Sequence, residues 1–237
     1  MRKTYTFIFF IVTLLFATQS FAQLSVNVGY ANRTMNSHYY RSNSKVPADE
    51  AIMPLGNGFY AGFTYNYALS KEMGVSAGLY YTYSKKIREG SSESSSGVLY
   101  EVKEDTTMKD INLPILFNYK YCISDDLGLF AFAGPNIQVG ISALTTQTIK
   151  TSGHPRRFMN GTHHGKLELY EPFEGGGAGF TRFDVGAMVG LGVQYKHIRL
   201  EAGYNMGLLE RTRSKDKNGE VLRWNFNLLF VGVGYTF

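Results

Sequence analysis

The sequence predicts an all-β protein, an eight-stranded antiparallel up-and-down transmembrane β-barrel, on three observations. The chain of 237 residues begins with the pattern of a secretory signal peptide. After that segment, no apolar run reaches the length of about 18 residues that a membrane-spanning helix needs. Eight later segments nevertheless alternate apolar residues with small or polar ones. A closed barrel is the other structure that pairs every backbone group inside a bilayer.

Residues 1–22 form the predicted signal peptide. A basic start at Arg2 and Lys3 precedes a charge-free apolar run over 4–17, and small residues precede the cut expected between Ala22 and Gln23. Because the apolar run is too short to cross a bilayer, an uncleaved anchor is the less favoured alternative. We therefore expect a cleaved signal peptide over 1–22 and one barrel domain over 23–237.

The eight predicted strands share a period of two. They cover residues 24–31, 59–68, 75–84, 110–121, 129–142, 182–195, 198–208 and 229–237. One face of each is aliphatic with Tyr or Phe near the ends, and the other carries Gly, Ser, Asn and a few charges. This matches a lipid-facing band with aromatic girdles around a polar interior. Alternation alone does not say which face is inside, so a soluble sandwich or lipocalin-like barrel stays open.

The connections between these strands alternate in length. Those at 69–72, 124–126 and 196–197 are short, whereas those at 34–57, 86–108, 147–180 and 211–222 are long. Bacterial barrels have short periplasmic turns and long external loops. We therefore expect an integral outer-membrane protein with both termini in the periplasm. Several strands exceed the ~9–11 residues needed to cross, so some are expected to project as ribbons.

Six charged residues fall on the inward face by parity, and we expect them to form a network. They are Lys120, Asp184, Arg199, Glu201, Arg182 and Asp110. An eight-stranded barrel has little more interior space than its own side chains fill, and buried charges must be paired. The favoured interpretation is a structural plug of salt bridges, and a narrow ion or solute path or a gated site stays open. Lys120→Ala is expected to leave a carboxylate without its partner and to lower stability.

Two long loops offer further chemistry. The third holds histidines and carboxylates that suit a metal or a catalytic rim, namely His154, His163, His164, Glu168, Glu171 and Glu174. The fourth is basic and suits lipopolysaccharide phosphates or a solvated hairpin tip, through Arg211, Arg213, Lys215, Lys217 and Arg223. No catalytic constellation stands out, so we expect no enzyme activity, no cofactor and no metal. A net charge of +5 does not indicate a nucleic-acid partner.

The chain closes on Val233, Tyr235 and Phe237, which share one face of the last predicted strand. This ending resembles the C-terminal signal of outer-membrane proteins that the barrel assembly machinery reads. The mature chain also resembles the PorT-like outer-membrane β-barrel family of Bacteroidetes. The segments NLPIL at 112–116, NYKY at 118–121, AGP at 133–135, DVG at 184–186 and GLG at 190–192 carry the resemblance.

The resemblance implies a barrel in the outer membrane of a Gram-negative bacterium, and for the family's namesake it implies a role in export through the type IX secretion system. We therefore expect a non-enzymatic scaffold or accessory component in protein secretion or envelope assembly. A narrow small-solute channel is the alternative, and a rim enzyme or adhesin is less favoured. The expected partners are the lipid bilayer, lipopolysaccharide, the barrel assembly machinery and a secretion or envelope protein.

Overall fold

A computed structural model describes residues 22–40, 49–94, 97–153, 160–170, 179–215 and 221–237. These residues form ten strands: β1 Ala22–Tyr40, β2 Asp49–Ala68, β3 Met73–Glu93, β4 Leu99–Cys122, β5 Leu127–Ser152, β6 Gly161–Glu168, β7 Phe183–Tyr195, β8 Ile198–Gly207, β9 Thr212–Lys215 and β10 Val221–Thr236. No helix among the described residues is long and apolar enough to cross a membrane.

Eight of the strands close into a ring. The hydrogen-bonded order β1-β2-β3-β4-β5-β7-β8-β10 is sealed where β10 pairs with β1, from Ser25 opposite Thr236 to Tyr40 opposite Val221. Every pairing is antiparallel, and consecutive barrel strands are neighbours, so the chain winds up and down around the ring. The predicted eight-stranded barrel is confirmed.

The apolar face of each barrel strand points outward. On β1, Leu24, Val26, Val28 and Tyr30 are exposed, whereas the alternating Ser25, Asn27 and Ala31 are buried. The same holds around the ring, for example at Val189, Leu191 and Val193 on β7 and at Leu229, Val231 and Val233 on β10. In a soluble sandwich the apolar face would instead be buried. The structure therefore decides between the two alternatives that alternation left open.

The two ends of the barrel differ in their connections. The tight turns at 69–72, 123–126 and 196–197 lie at the end where Ala22 pairs with Tyr67 and Phe237 donates its backbone N–H to Leu24. We call this the short-turn end. At the other end, called here the ribbon end, the strands continue beyond the outward aromatic residues. β3 and β4 stay paired from Lys86 opposite Thr106 to Glu93 opposite Leu99.

Much of what the sequence predicts as long loop is therefore strand. The ranges 34–57, 86–108 and 147–180 all contain extended, paired backbone, and β4 and β5 reach 24 and 26 residues. The prediction of projecting ribbons is confirmed, and the prediction of loops at these positions is wrong. The reason is that exposed ribbon strands lack the uniform apolar face by which a lipid-facing strand is recognised.

Candidate functional site

The interior at membrane level is filled by aromatic rings. Phe130, Phe132, Phe230 and Tyr60 form a buried cluster, with ring centroids 6.2 Å apart for Phe130 and Phe132 and 5.3 Å for Tyr60 and Phe230. The glycines opposite make room for these rings. A Cβ on Gly190 would lie 2.1 Å from Phe132 Cζ, and one on Gly192 would lie 2.3 Å from Phe130 Cζ. The rings thus occupy the space that a pore would need.

One carboxylate lies within this aromatic cluster. Glu201, on β8, accepts a hydrogen bond from the Tyr60 hydroxyl at 2.9 Å, and its other oxygen lies 4.0 Å from the Arg199 guanidinium. Arg199 stacks over the Phe130 ring, 4.3 Å from its centroid, towards the short-turn end. Only a cavity of about 40 Å³ remains among these side chains. That volume suits about one or two water molecules and no larger solute.

Polar side chains complete this inner wall. They hydrogen-bond in pairs across neighbouring strands: Ser25 with Thr236, Asn27 with Thr64, Asn112 with Thr82, Asn136 with Asn112 and Asn118 with Ser76. Such amide and hydroxyl pairs satisfy buried polar atoms without a net charge. At this level the polar side chains of the inner wall therefore hold neighbouring strands together.

A second cluster, the external ion cluster, lies towards the ribbon end and consists of Arg33, Asp110, Tyr170 and Arg211. Asp110 forms an ion pair with Arg33 at 2.5 Å and lies 3.9 Å from Arg211, and all three side chains are buried. The Tyr170 hydroxyl donates to Asp110 at 3.0 Å and accepts from Arg211 at 3.3 Å. Burial raises the pKa of Tyr170 to about 12, so the phenol stays protonated and keeps donating.

Two β-bulges lie beside the external ion cluster, on the strands that pair with β1 and β4. The register between β1 and β2 shifts between Arg33 and Thr34, and the register between β4 and β5 shifts between Lys109 and Asp110. Gly56, opposite Arg33, has a φ of 127°, a left-handed value that disfavours a side chain. The extra residues are Leu55 on β2 and Ile141 on β5, so these two strands bend, whereas β1 and β4 keep their parity and carry Arg33 and Asp110 inward.

The segment after β6 folds into the mouth of the barrel and brings Tyr170 with it. The Leu169 N–H donates to Ala143 O at 2.6 Å, and Phe180 N–H donates back to Leu169 O at 2.7 Å. Gly140 leaves the space for the Tyr170 ring, since a Cβ there would lie 2.3 Å from it. Arg211 fixes the other side through its Nε, which donates to Thr181 O at 3.0 Å. The ribbon end is thus closed as well.

The predicted single network of six charges is wrong in part. Asp110, Asp184, Arg199 and Glu201 do face inward, but Asp110 belongs to the external ion cluster and Glu201 to the aromatic one. Asp184 is buried and accepts from the Leu209 N–H at 3.3 Å. The interior charges are therefore divided by height, because the rings between them leave no room for a continuous chain of salt bridges.

Two members of the predicted network are misplaced. Lys120 takes part in no ion pair among the described residues, because it opens into the short-turn end below Arg199 and Glu201. Arg182 is exposed: it precedes β7, donates to Ile141 O at 2.8 Å and lies over the Tyr170 ring at 5.1 Å. Strand parity does not hold outside the strand, which is why Arg182 was assigned to the wrong side.

Three residues of the external ion cluster were not predicted. Arg33 continues the inward parity of Ser25 to Ala31, so parity extended beyond the predicted end of the first strand would have found it. Arg211 lies after the end of β8 and after exposed Leu209, so strand parity does not reach it. Arg211 was instead assigned to a solvated or lipopolysaccharide-binding loop, which its complete burial contradicts. No periodic signal marks Tyr170, because it lies in an irregular segment.

The remaining predicted residues lie on the surface or outside the described ranges. His163 and His164 are neighbours on exposed β6, so their side chains point to opposite faces. His154, Glu171, Glu174 and Lys217 lie outside the described residues, and within those residues no group of three potential ligands could hold a metal. Val233, Tyr235 and Phe237 are exposed on one face of the closing strand's end. The cut between Ala22 and Gln23, where β1 begins, stays a prediction.

Comparison with known families decides the identity of this fold. The outer membrane protein beta-barrel domain family matches residues 11–210. The chain belongs to this family. It is therefore an outer-membrane β-barrel protein, and the aliphatic outer face is the surface that contacts lipid. No curated protein matches the sequence.

Solved structures of outer-membrane proteins align over most of the chain. Ail, the attachment invasion locus protein of Yersinia pestis, is 14% identical, with 91% of this chain and 99% of that chain covered and a TM-score of 0.36. Neisserial surface protein A is 14% identical, with 91% of this chain and 99% of that chain covered and a TM-score of 0.39. The outer membrane protease OmpT from Escherichia coli is 12% identical, with 93% of this chain and 98% of that chain covered and a TM-score of 0.40. At these values the similarities support no assignment of activity.

Proposed function

We propose that this outer-membrane protein is a non-enzymatic scaffold or accessory component that binds a protein partner through its ribbon end. The observation that carries the proposal is a sheet with open edges standing above a closed barrel. Beyond the ring, β3, β4, β5 and β6 form a four-stranded external sheet. Function is thereby assigned to the surface of the external sheet rather than to a lumen.

The external sheet ends on two open edges. β6 pairs with β5 on one side, and its other side has no strand partner among the described residues. β3 pairs with β2 as far as Lys85, and from Lys86 to Glu93 its described pairings are with β4 alone. Free N–H and C=O groups on such edges are a template for strand addition by another chain.

Charged side chains surround these edges and favour a selective partner. Lys103 pairs with Glu89 at 2.6 Å and Lys150 with Glu101 at 3.1 Å, all on exposed positions. Charges on and beside an edge hinder indiscriminate pairing of sheets. Exposed Ile87 and Leu167 add apolar contacts near each edge. A partner strand must therefore match both the charges and the apolar positions.

The lengths of the connections support a proposed orientation in the membrane. We place the short-turn end and both termini in the periplasm and the ribbon end outside the cell, as bacterial barrels are arranged. The barrel assembly machinery would read Val233, Tyr235 and Phe237, which face lipid in the closing strand. Lipopolysaccharide contacts would fall to exposed cations other than Arg211, since Arg211 is buried. On the PorT-like resemblance, we propose a partner from type IX-like secretion or from envelope assembly.

The closed interior favours the scaffold over the alternative of a small-solute channel. Arg199 and the phenyl rings leave about 40 Å³ at membrane level, and the Tyr170 segment fills the opposite mouth. A rim enzyme would depend on His154, His163 or His164. His154 lies outside the described residues, and His163 and His164 point to opposite faces of β6.

Photocrosslinking in native outer membranes tests the proposal. A photoreactive amino acid replaces Thr162 on the open edge of β6, and a matched variant carries it at Asp125 in a short turn. We expect one defined protein adduct from position 162 that is absent from position 125. The proposal is wrong if neither position 162 nor Arg88 on the β3 edge gives an adduct that the turn variant lacks.

A further inference from the structure

The short-turn end of the barrel contains a cup that none of the functions above uses. It has a volume of about 480 Å³ and lies between the 69–72 turn and the inner ends of β4, β5 and β8. Small-molecule sites are typically about 300–1,000 Å³. Arg199, stacked on Phe130, lines both the cup and the adjacent interior cavity, whose volume of about 40 Å³ suits only water. The cup is therefore a dead-end pocket rather than the mouth of a pore.

The cup is lined by an excess of positive charge. Three cations, Lys71, Lys120 and Arg199, line it, against the side-chain carboxylate of Glu72 and the terminal carboxylate of Phe237. Glu72 lies at the outer rim, where its carboxylate accepts a hydrogen bond from the hydroxyl of outward-facing Tyr119 at 3.4 Å. The ion pairs formed by the described residues include neither Lys71 nor Lys120. Both ammonium groups thus open into the cup without an ion-pair partner among the described residues.

Arg199 also keeps donors available. Its guanidinium lies 4.0 Å from Glu201 Oε2, too far for a hydrogen bond, while Tyr60 donates to Glu201 Oε1. The buried Nε of Arg199 has no hydrogen-bond partner among the described residues. Lys120 is held against the wall because Gly128 lacks a side chain. A Cβ on Gly128 would lie 2.8 Å from Lys120 Cε. One guanidinium and one ammonium therefore approach the same space from β8 and β4.

We propose that this cup binds a phosphate-bearing ligand, with Arg199 and Lys120 contacting the phosphate and Lys71 closing the rim. Arginine offers directed paired donors to phosphate oxygens, and lysine adds a compact charge, so together they suit a dianionic tetrahedral group. Uncharged Asn66, Asn118 and Gln194 in the lining provide polar contacts for the rest of the ligand. The phosphate comes from a soluble phosphomonoester or from a lipid headgroup.

Isothermal titration of the full chain in dodecyl maltoside micelles, which contain no phosphate, tests the site. The probes are glycerol 3-phosphate and dihexanoyl phosphatidic acid, which share the phosphomonoester and differ in the acyl chains. We expect saturable binding of at least one probe. Lys120→Gln should weaken that binding by about tenfold, and Lys120→Arg should restore most of it. Tighter binding of the lipid identifies a headgroup, and equal binding identifies a soluble phosphomonoester.

The matched control is Lys196→Gln, a lysine of the same end that lies outside the cup and 3.6 Å from Asp126. It should leave the affinity unchanged. No binding of either probe would overturn the proposal, and so would an equal loss in Lys120→Gln and Lys196→Gln, because that would indicate unspecific attraction to a basic surface. Photocrosslinking at the ribbon end is unaffected by these changes, so the two proposals fail separately.

Discussion

The two levels of the barrel interior hold their carboxylates in different ways. Towards the ribbon end, Asp110 lies between two buried arginines and accepts from a buried tyrosine. At membrane level, Glu201 lies among phenyl rings, with one tyrosine donor at 2.9 Å and one arginine at 4.0 Å. Charge compensation dominates the first level, and ring packing dominates the second.

The two levels also differ in which segments of the chain their side chains join. The external ion cluster joins β1, β4, the segment after β6 and the segment after β8, which are far apart in sequence. The aromatic level instead joins side chains of regular strands whose backbones are already paired. We therefore expect the loss of one charge to matter most at the ribbon end, where the charged side chains are fully buried and pair with one another.

The largest effect is expected from Asp110→Ala. The change leaves Arg33 and Arg211 buried without their counter-ion, and breaking such a pair costs about 3–5 kcal/mol. Urea unfolding of the purified barrel in micelles, followed by the gel shift between folded and unfolded chain, measures the loss. Asp105→Ala removes an exposed pair with Lys85 at 2.7 Å and should cost about 0–1 kcal/mol. Equal losses in the two variants would contradict the distinction between the clusters.

A smaller loss is expected from Tyr60→Phe at membrane level. It removes the hydroxyl that donates to Glu201, and a hydrogen bond to a charged group contributes about 1.5–3 kcal/mol. The control is Tyr204→Phe, an outward tyrosine on β8, which should change the free energy of unfolding by about 0.5 kcal/mol or less. If Tyr60→Phe proves as mild as this control, Glu201 does not depend on that donor.

The packing of the same level is tested by Gly190→Ala. The added methyl group would meet Phe132 Cζ at 2.1 Å and Ala202 O at 2.6 Å, so the rings must shift. Overpacking of this kind costs about 1–3 kcal/mol. The control is Gly165→Ala on exposed β6, whose new Cβ would lie 4.0 Å from Gln147 O. It should leave the free energy of unfolding nearly unchanged. Unchanged stability in Gly190→Ala would mean that the interior is looser than the ring contacts indicate.

The smallest effect is expected from Lys120→Ala. Because Lys120 pairs with no described carboxylate, the change should alter the free energy of unfolding by about 0.5 kcal/mol or less. The sequence-based expectation was a clear loss of stability. The variant is measured beside Asp110→Ala in the same urea titration. A loss of several kcal/mol in the free energy of unfolding would indicate that Lys120 does pair with an interior carboxylate.

The membrane-level half of this comparison could be predicted from the sequence because lipid imposes a strict rule there. Every second residue of a lipid-crossing strand is apolar, so the outward positions on β7 and β10 and the inward Arg199 and Glu201 follow from parity alone. Parity does not give the position of a residue along the barrel axis, so the sequence-based prediction merged charges from two levels into one network.

The ribbon-end half could be predicted only in part, because bulges reset the parity of β2 and β5, whereas Arg33 and Asp110 keep the parity of their own strands. Gly140 is buried on β5, but after the register shift the buried residue is Ala143, an odd number of positions later. A bulge leaves no clear mark in the sequence, and it moves every later side chain to the opposite face. The irregular approach of Tyr170 depends on contacts that only the folded chain supplies.

The measurement that tests the central claim most directly is single-channel recording on the refolded barrel in a planar bilayer. The stack of Arg199 on Phe130 and the external ion cluster close the interior at both levels, so the wild-type protein should give no discrete current steps. Reproducible steps from the wild type that change in size with Arg199→Ala would contradict the account and favour the channel.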